Sequence, residues 1–430
     1  MKILIISPNY PPVNTPDMHR VRLSIPFFKN AGCGITVIAV KPKYIEASID
    51  PVLESLSDDC RVIRVSAFPV KITRKFGLGN LGYRSWFQIK KAGDSLLRKE
   101  KFDLVYFSTT AFPVMTLGRI WKQKFNIPFV LDMQDPWRND FYLSQPKSNR
   151  PPKYKIAHFL DSMLEKWTVP HANGMISVSD AYPSTLNQRY KTNIPSSTIT
   201  FAASYKDFEI VEKSNLVNNI FKKEKDTVTL VYMGAVTPGM PIPVKQTLQA
   251  IKEYVLKPDS KKIKAFFIGT SYASSKNPAY RIKSIIKETG LEAFTFESPH
   301  RVGYFQSIKL LMDADALLLP GSIEAGYTAS KIYPYILSRK PIFAVTHALS
   351  SVSKILKGCK AGSVITFKDE KDLLNKQSLI NKEFEQFMNA LPFETNIDKD
   401  YFKPYTDHSV ASKQLDFFKR IIKSYVGKTS

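Results

Sequence analysis

The stretch ADALLLPGSIEAGYTASKIYPYILSRKPIFAV, residues 314–345, decides how the rest of this chain is read. It holds two short apolar runs, ALLLP (316–320) and PIFAV (341–345). Their length and composition suit strands buried on both faces of a parallel sheet. Between them lie a polar loop and a segment that reads as a helix, opening at Ser330-Lys331 with Pro334 in its first turns. A proline there is tolerated, because the first helical N–H groups have no partner in any case. A lysine and a serine at a helix start beyond a buried strand make a competent pyrophosphate site.

Outward from this block the same alternation continues. TLVYMG (229–234), AFFIG (265–269), FTFESP (294–299) and SVITF (363–367) read as further strands, with helix-like segments between them. The first half has its own set: KILIIS (2–7), ITVIAV (35–40), RVIRVS (61–66), LVYFST (104–109), FVLDM (129–133) and MISVS (175–179). Helices are expected from about Asp17 to Ala31 and from Ile156 to Val169. On the second, Ile156, Phe159, Leu160, Met163, Leu164 and Trp167 form one stripe, expected to pack on the sheet. The polar stretch SNLVNNIFKKEKD (214–226) reads as an insertion or linker, and HSVASKQLDFFKRIIKSYV (408–426) as an amphipathic terminal helix. The pattern predicts an α/β chain of two doubly wound, Rossmann-like domains facing a cleft, with ligands at the C-terminal ends of the strands. The expected domains are 1–205 and 206–404, followed by the terminal segment 405–430.

Composition narrows the classes. With 430 residues, 43% hydrophobic and 12% aromatic, the chain has material for packed cores and is too long for one. Three scattered cysteines, Cys33, Cys60 and Cys359, favour a reducing compartment and argue against a disulfide scaffold or a zinc site. No secretory or membrane-spanning run of about 20 apolar residues occurs, so a soluble or peripheral, cytoplasmic protein is expected. The net charge of +24 is the loudest signal and points to an anionic partner. Between residues 70 and 101 many lysines and arginines are interleaved with Phe76, Tyr83, Trp86 and Phe87. That mixture suits an anionic membrane surface, with aromatics at headgroup depth. No nucleic-acid signature accompanies it.

Four loops carry candidate chemistry. SPNYPPVNTPDMHRVR (7–22) offers Asn14, Asp17, His19 and Arg20, but no glycine lies between residues 1 and 31. The glycine-rich turn of a dinucleotide-binding site is therefore absent, which excludes a dehydrogenase. VLDMQDPWRNDF (130–141) places Asp132 and Asp135, with Trp137, just past a strand, where carboxylates bond sugar hydroxyls or take a proton. In LVYMGAVTPG (230–239), Gly234 and Gly239 let the backbone approach a phosphate. Asp313 and Asp315 form a DxD read as capping and packing rather than as a metal-bound sugar site, and Glu324, Tyr327, Ser330 and Lys331 follow beyond the strand.

These features together resemble the GT-B glycosyltransferases, specifically the retaining family 4 enzymes of capsule, O-antigen and related polysaccharide synthesis. The resemblance rests on KILIISPNYPP at the start, LEKWTVPHANGMISVS (164–179), LVYMGAV (230–236), the 314–345 block and the terminal helix, and covers nearly the whole chain. It implies a GT-B fold whose terminal helix returns to the N-terminal domain. It also implies an enzyme of the hexosyltransferase kind, retaining and metal-independent, that needs no cofactor. Donor binding is implied for Gly234, Ala235, Arg301, Glu324, Tyr327, Ser330 and Lys331, and acceptor binding for Asn14, Arg20, Asp132 and Trp137. Asp135, His19 and Asp17 take the catalytic places. The implied partners are a nucleotide-sugar donor, a lipid-linked or oligosaccharide acceptor and the inner face of the cytoplasmic membrane. The family's usual Arg and Lys after the turn glycine are replaced by Ala235 and, approximately, Met240, and its ribose-binding Glu by Pro334. Those replacements keep two alternatives open: a non-catalytic GT-B scaffold or regulatory protein, and a GT-B nucleotide-sugar epimerase.

Overall fold

The computed structural model describes every residue except 57–59, 144–146, 148, 149, 151, 152, 272–277, 328 and 430, and side chains other than those at 55, 141, 428 and 429. The chain divides into two compact units. The first comprises Met1–Ala202 and the chain from Asp407 onward; the second is Ala203–Thr406. The boundaries expected at 205/206 and 404/405 thus fall at 202/203 and 406/407. Within the second unit the two ends run side by side, with a parallel bridge between Ala203 and Thr406.

The first unit is built on strands β1 (Lys2–Ile6), β2 (Gly34–Val40), β3 (Arg61–Val65), β4 (Leu104–Ser108), β5 (Phe129–Met133), β6 (Gly174–Ser177) and β7 (Ser196–Thr198). Their order in the sheet is β3-β2-β1-β4-β5-β6-β7, and every pairing is parallel. β1, β4 and β5 are apolar along nearly their whole length because helices cover both faces of the sheet. The connections reverse direction between β1 and β4, which makes that point the crevice where an open α/β sheet binds ligands. The terminal helix Asp407–Thr429 belongs to this unit. Phe418 packs against Phe28 and Tyr106, and Gln414 accepts a hydrogen bond from the Ser24 hydroxyl at 2.5 Å.

The second unit repeats the design with β8 (Thr227–Met233), β9 (Lys262–Ile268), β10 (Thr295–Ser298), β11 (Ala316–Pro320), β12 (Ile342–His347) and β13 (Gly362–Phe367). The order is β10-β9-β8-β11-β12-β13, again parallel throughout, with the reversal between β8 and β11. A core that includes Leu230, Phe267, Leu318, Phe343 and Phe384 fills the side against the helices Pro241–Val255 and Gln377–Ala390.

Three expectations are corrected. The 214–226 stretch is no linker: Phe221 is buried against Phe266, Lys223 pairs with Asp315 at 2.7 Å, and the Val217 carbonyl accepts from Gln306. The stripe on the helix Tyr154–Thr168 packs only along one edge: Leu160 and Leu164 are half-buried, Leu164 against the core, but Ile156, Phe159, Met163 and Trp167 are exposed. The face that turns inward carries Glu165 instead, which accepts from the Arg189 guanidinium, the Tyr190 hydroxyl and the Arg138 N–H. Of the 70–101 segment, Arg84 is buried and donates to the Phe68 and Tyr44 carbonyls, while Trp86 donates to Thr116. Arg84 and Trp86 hold the helix Leu81–Lys99 to its neighbours rather than facing outward.

Candidate functional site

In the second unit the turns after β8, β9 and β11 converge at the point where the strand order reverses. β8 ends at Gly234, whose φ of 125° is open to glycine and strained for other residues. Gly269, after β9, also has a positive φ, 73°. A Cβ built on it would lie 3.9 Å from both the Gly234 nitrogen and the Arg301 Cα, so the turn after β10 reaches the same spot. After β11 the chain passes through Ser322 and Glu324, whose side chains crowd Gly239.

Lys331 closes this group. Its ammonium lies where a Cβ on Gly234 would be only 3.0 Å away, 2.6 Å from the Tyr232 hydroxyl and 4.2 Å from the centre of that ring. Tyr232 accepts from Lys331 and donates to the Ala235 carbonyl at 2.9 Å, which fixes both the lysine and the turn. Among the described residues no carboxylate compensates this half-buried cation, and loss of water alone pulls its pKa from 10.5 down to about 7. The helix that follows, Ile332–Leu337, is only six residues long. Its peptide dipoles therefore contribute little, and the positive charge expected from a helix start is supplied by the lysine itself. Ile332, Tyr335, Ile336 and Leu337 are buried and anchor the helix, and the Met233 N–H donates to the Tyr335 hydroxyl at 2.6 Å. Ser330 is exposed beside Lys331. Tyr327, half-buried, has its phenol pushed up to about 12 by loss of water and by Glu324. Met240 is wholly buried, its sulfur 3.8 Å from the Tyr232 hydroxyl, so that place is core rather than a cation's seat. Of the DxD, Asp313 pairs with Lys309 at 2.6 Å, and Asp315 accepts from the Thr229 N–H at 2.8 Å and from Lys223.

Gly234→Ala tests this arrangement. The added methyl group meets the Lys331 ammonium and the residue must hold a strained φ. A loss of about 1–3 kcal/mol of stability is expected, read by thermal denaturation.

In the first unit the reversal lies between β1 and β4, and there Asp17 is buried. It accepts from Asn9 at 3.0 Å, from the Met18 N–H at 3.1 Å, and from Thr109 and the Thr110 N–H at 3.4 Å. Burial raises its pKa despite these donors. Asp135, past β5, is exposed. Loss of water and the Asp17 carboxylate raise it to about 6. His19 is held neutral: burial and Arg22 lower its pKa well below the usual range. The Arg22 guanidinium can only donate, so Nδ1 of His19 accepts at 3.2 Å and Nε2 carries the proton given to Asn14 at 3.0 Å. With both ring nitrogens engaged, His19 positions Asn14 and is not poised as a catalytic base.

Three of the expected acceptor contacts are corrected by burial. Arg20 and Asp132 form an ion pair of 2.7 Å with both side chains wholly enclosed. Asp132 also accepts from Tyr106 at 2.6 Å, Ser108 at 3.0 Å and Gln134 at 3.1 Å, while Arg20 donates to the Ile199 and Thr200 carbonyls. Trp137 is buried and stacks on Phe112 with centroids 5.7 Å apart. Only Asn14 of that group remains partly accessible.

No protein-family model matches the chain, and no curated protein matches its sequence. Solved structures do match it. Sucrose-phosphate synthase from Thermosynechococcus elongatus is 13% identical with a TM-score of 0.61, over 98% of this chain and 99% of that one. HepE from Anabaena, solved in complex with UDP-glucose, is 14% identical with a TM-score of 0.60, over 98% of this chain and 100% of that one. The chain has the GT-B fold. WaaG, a glycosyltransferase involved in lipopolysaccharide biosynthesis, adds 12% identity and a TM-score of 0.58 over 97% of this chain and 99% of that one. At these identities the match concerns the GT-B fold and leaves the chemistry to the residues. Sequence reading missed Tyr232 and Gly269 in the second unit, and Asn9 and Thr109 in the first. Tyr232 and Gly269 stand at strand ends, the place where such residues are worth seeking.

Proposed function

We propose that this GT-B chain is a glycosyltransferase that takes a sugar from a nucleotide-sugar donor to a lipid-linked or growing saccharide acceptor, with retention of configuration. The carrying observation is Lys331: a water-poor ammonium with no carboxylate partner among the described residues, set against the glycine turn that ends β8. An anionic diphosphate is the ligand that repays that burial. HepE, a structural neighbour, was solved with UDP, and with UDP-glucose. On this reading Lys331 and Ser330 meet the diphosphate, Gly234 and Ala235 give it room, and Glu324 takes the ribose in place of the residue replaced by Pro334. Arg301 and Tyr327 complete the wall.

In the transfer step the bond from the acceptor oxygen to the sugar's anomeric carbon forms as the bond from that carbon to the diphosphate breaks. The acceptor proton passes to a leaving phosphate oxygen on the same face, which preserves configuration. Lys331 stabilises the charge that grows on the diphosphate, work that otherwise falls to a metal ion. Asp135, ionised, accepts a hydrogen bond from a hydroxyl of the acceptor other than the one that reacts, and Asp17 with Asn9 holds the loop after β1. A setting at the inner membrane face in capsule-type polysaccharide synthesis suits a lipid-linked acceptor.

The two titrations give a testable pH profile. Asp135 must lose its proton, with a pKa near 6, and Lys331 must hold its own, with a pKa near 7. The expected kcat/KM profile is a narrow bell between these values, because that ratio reports the free enzyme. Asp135→Asn should remove the acid limb. The assay is nucleotide diphosphate release from UDP, GDP and ADP sugars with extracted lipid acceptors; no turnover on any donor overturns the proposal. If nucleotide sugars also fail to bind, the rival reading is favoured, a GT-B scaffold whose Ala235, Met240 and Pro334 mark lost contacts. A GT-B epimerase would be revealed by an isomerised sugar.

A further inference from the structure

Most of the apolar stripe expected to pack on the sheet lies on the surface. Along the helix Tyr154–Thr168, Ile156 is 62% exposed, Phe159 62%, Met163 54% and Trp167 38%. Their spacing places them on one face, about 16 Å long at 1.5 Å per residue. A helix of a water-soluble protein normally turns such a face inward. This one cannot, because its opposite face is tied down by the fully bonded Glu165 and by Asp140, which pairs with Arg138, His158 and Arg189.

A second exposed apolar group adjoins it within the same unit. Phe76 is 76% exposed, and Ile72 and Phe87 are likewise open to water. The two groups are joined at Lys153, whose ammonium donates to the Lys75 carbonyl at 3.4 Å and whose stem lies 4.0 Å from where a Cβ on Gly77 would be. Further along, Asp161 acts on the Tyr83 phenol of the helix that carries Phe87. Lys71, Lys75, Lys153, Lys155 and Lys166 are exposed around these apolar residues. At the far end the Arg119 guanidinium lies 4.5 Å over the Trp167 ring.

We propose that the Tyr154–Thr168 stripe and the 72–87 segment form one interfacial face that seats on an anionic lipid bilayer. It deepens the transferase reading by naming the surface that would bring the chain to a lipid-linked acceptor. Aromatic and aliphatic tips enter the headgroup region while the lysines meet lipid phosphates. A second copy of the chain is the poorer occupant. A two-fold contact sets each patch against its own kind, bringing lysine to lysine in a molecule of net charge +24.

The test is co-sedimentation of the full chain with phosphatidylcholine vesicles, with and without about 30% phosphatidylglycerol. Neither donor nor acceptor is present, and UDP binding is read separately, so failure here is distinct from failure of the transferase reading. Binding is expected to the anionic vesicles only, weakening as salt rises. Phe159→Ser with Trp167→Ser, and separately Lys155→Glu with Lys166→Glu, should each weaken it about tenfold or more and leave UDP binding unchanged. Because Arg119 lies over Trp167, circular dichroism of each variant checks that the fold is kept, and Phe159→Ser alone serves as the second variant. No vesicle binding, or binding that the variants do not alter, overturns the proposal. So does a dimer in sedimentation velocity that the same variants dissociate while vesicle binding is absent.

Discussion

Lys331→Met is expected to weaken binding of UDP, or of whichever nucleotide diphosphate the chain prefers, by about a hundredfold, with no loss of stability. The ammonium is the cation that stands against the Gly234 turn, so its removal takes away the charge-assisted bond to the diphosphate. Stability should move the other way. In the folded chain the lysine's pKa lies at about 7, below its ordinary value of 10.5. The unfolded chain therefore binds one more proton between those two values, and wild-type stability rises with pH across that window. Below about pH 7 the folded protein carries a desolvated cation and bears the full penalty. Methionine is an unbranched chain one atom shorter than lysine and uncharged, so the variant should be at least as stable at neutral pH and lose that pH dependence. Calorimetric titration gives the affinity, and denaturation at a series of pH values gives the slope.

Asp132→Ala is expected to destabilise the first unit by about 3–5 kcal/mol, the usual cost of stranding one member of a buried ion pair. Arg20 would remain wholly enclosed without its carboxylate, and Tyr106, Ser108 and Gln134 would lose a shared acceptor. Arg20→Met combined with Asp132→Leu removes both charges and should recover part of the loss. All four tryptophans, Trp86, Trp121, Trp137 and Trp167, lie in the first unit, so their fluorescence in urea follows that unit alone. Were Asp132 an exposed acceptor contact instead, its substitution would leave that transition nearly unmoved.

The sheets were legible in the sequence because parallel strands buried on both faces announce themselves as short β-branched runs. Each strand of the second unit was placed within three residues at either end, whereas β7, the short polar edge strand Ser196–Thr198, carries no such signal. The Tyr154–Thr168 helix shows where such reading stops: periodicity reveals that a face is apolar and says nothing of what covers it. Arg20, Asp132 and Trp137 were misread for a related reason. Position at a strand end brings a residue near the crevice, but whether its side chain turns outward depends on partners far along the chain, here Thr200, Tyr106 and Phe112. Lys331 was legible as a residue and not as a geometry. Its neighbours Tyr232 and Gly234 reach it only through the pairing of β8 with β11, and its depressed pKa follows from that enclosure.

The most direct test is calorimetric titration of the intact chain with UDP, GDP and ADP sugars at about pH 8.5 in two buffers of different ionisation enthalpy. Lys331 is then neutral in the free protein, and a bound diphosphate must restore its charge. The expected result is binding of one nucleotide sugar with uptake of close to one proton, an affinity that falls nearly tenfold per pH unit above about 7, and loss of that uptake in Lys331→Met. Failure of every nucleotide sugar to bind, or binding with no proton taken up, would contradict the assignment of this site.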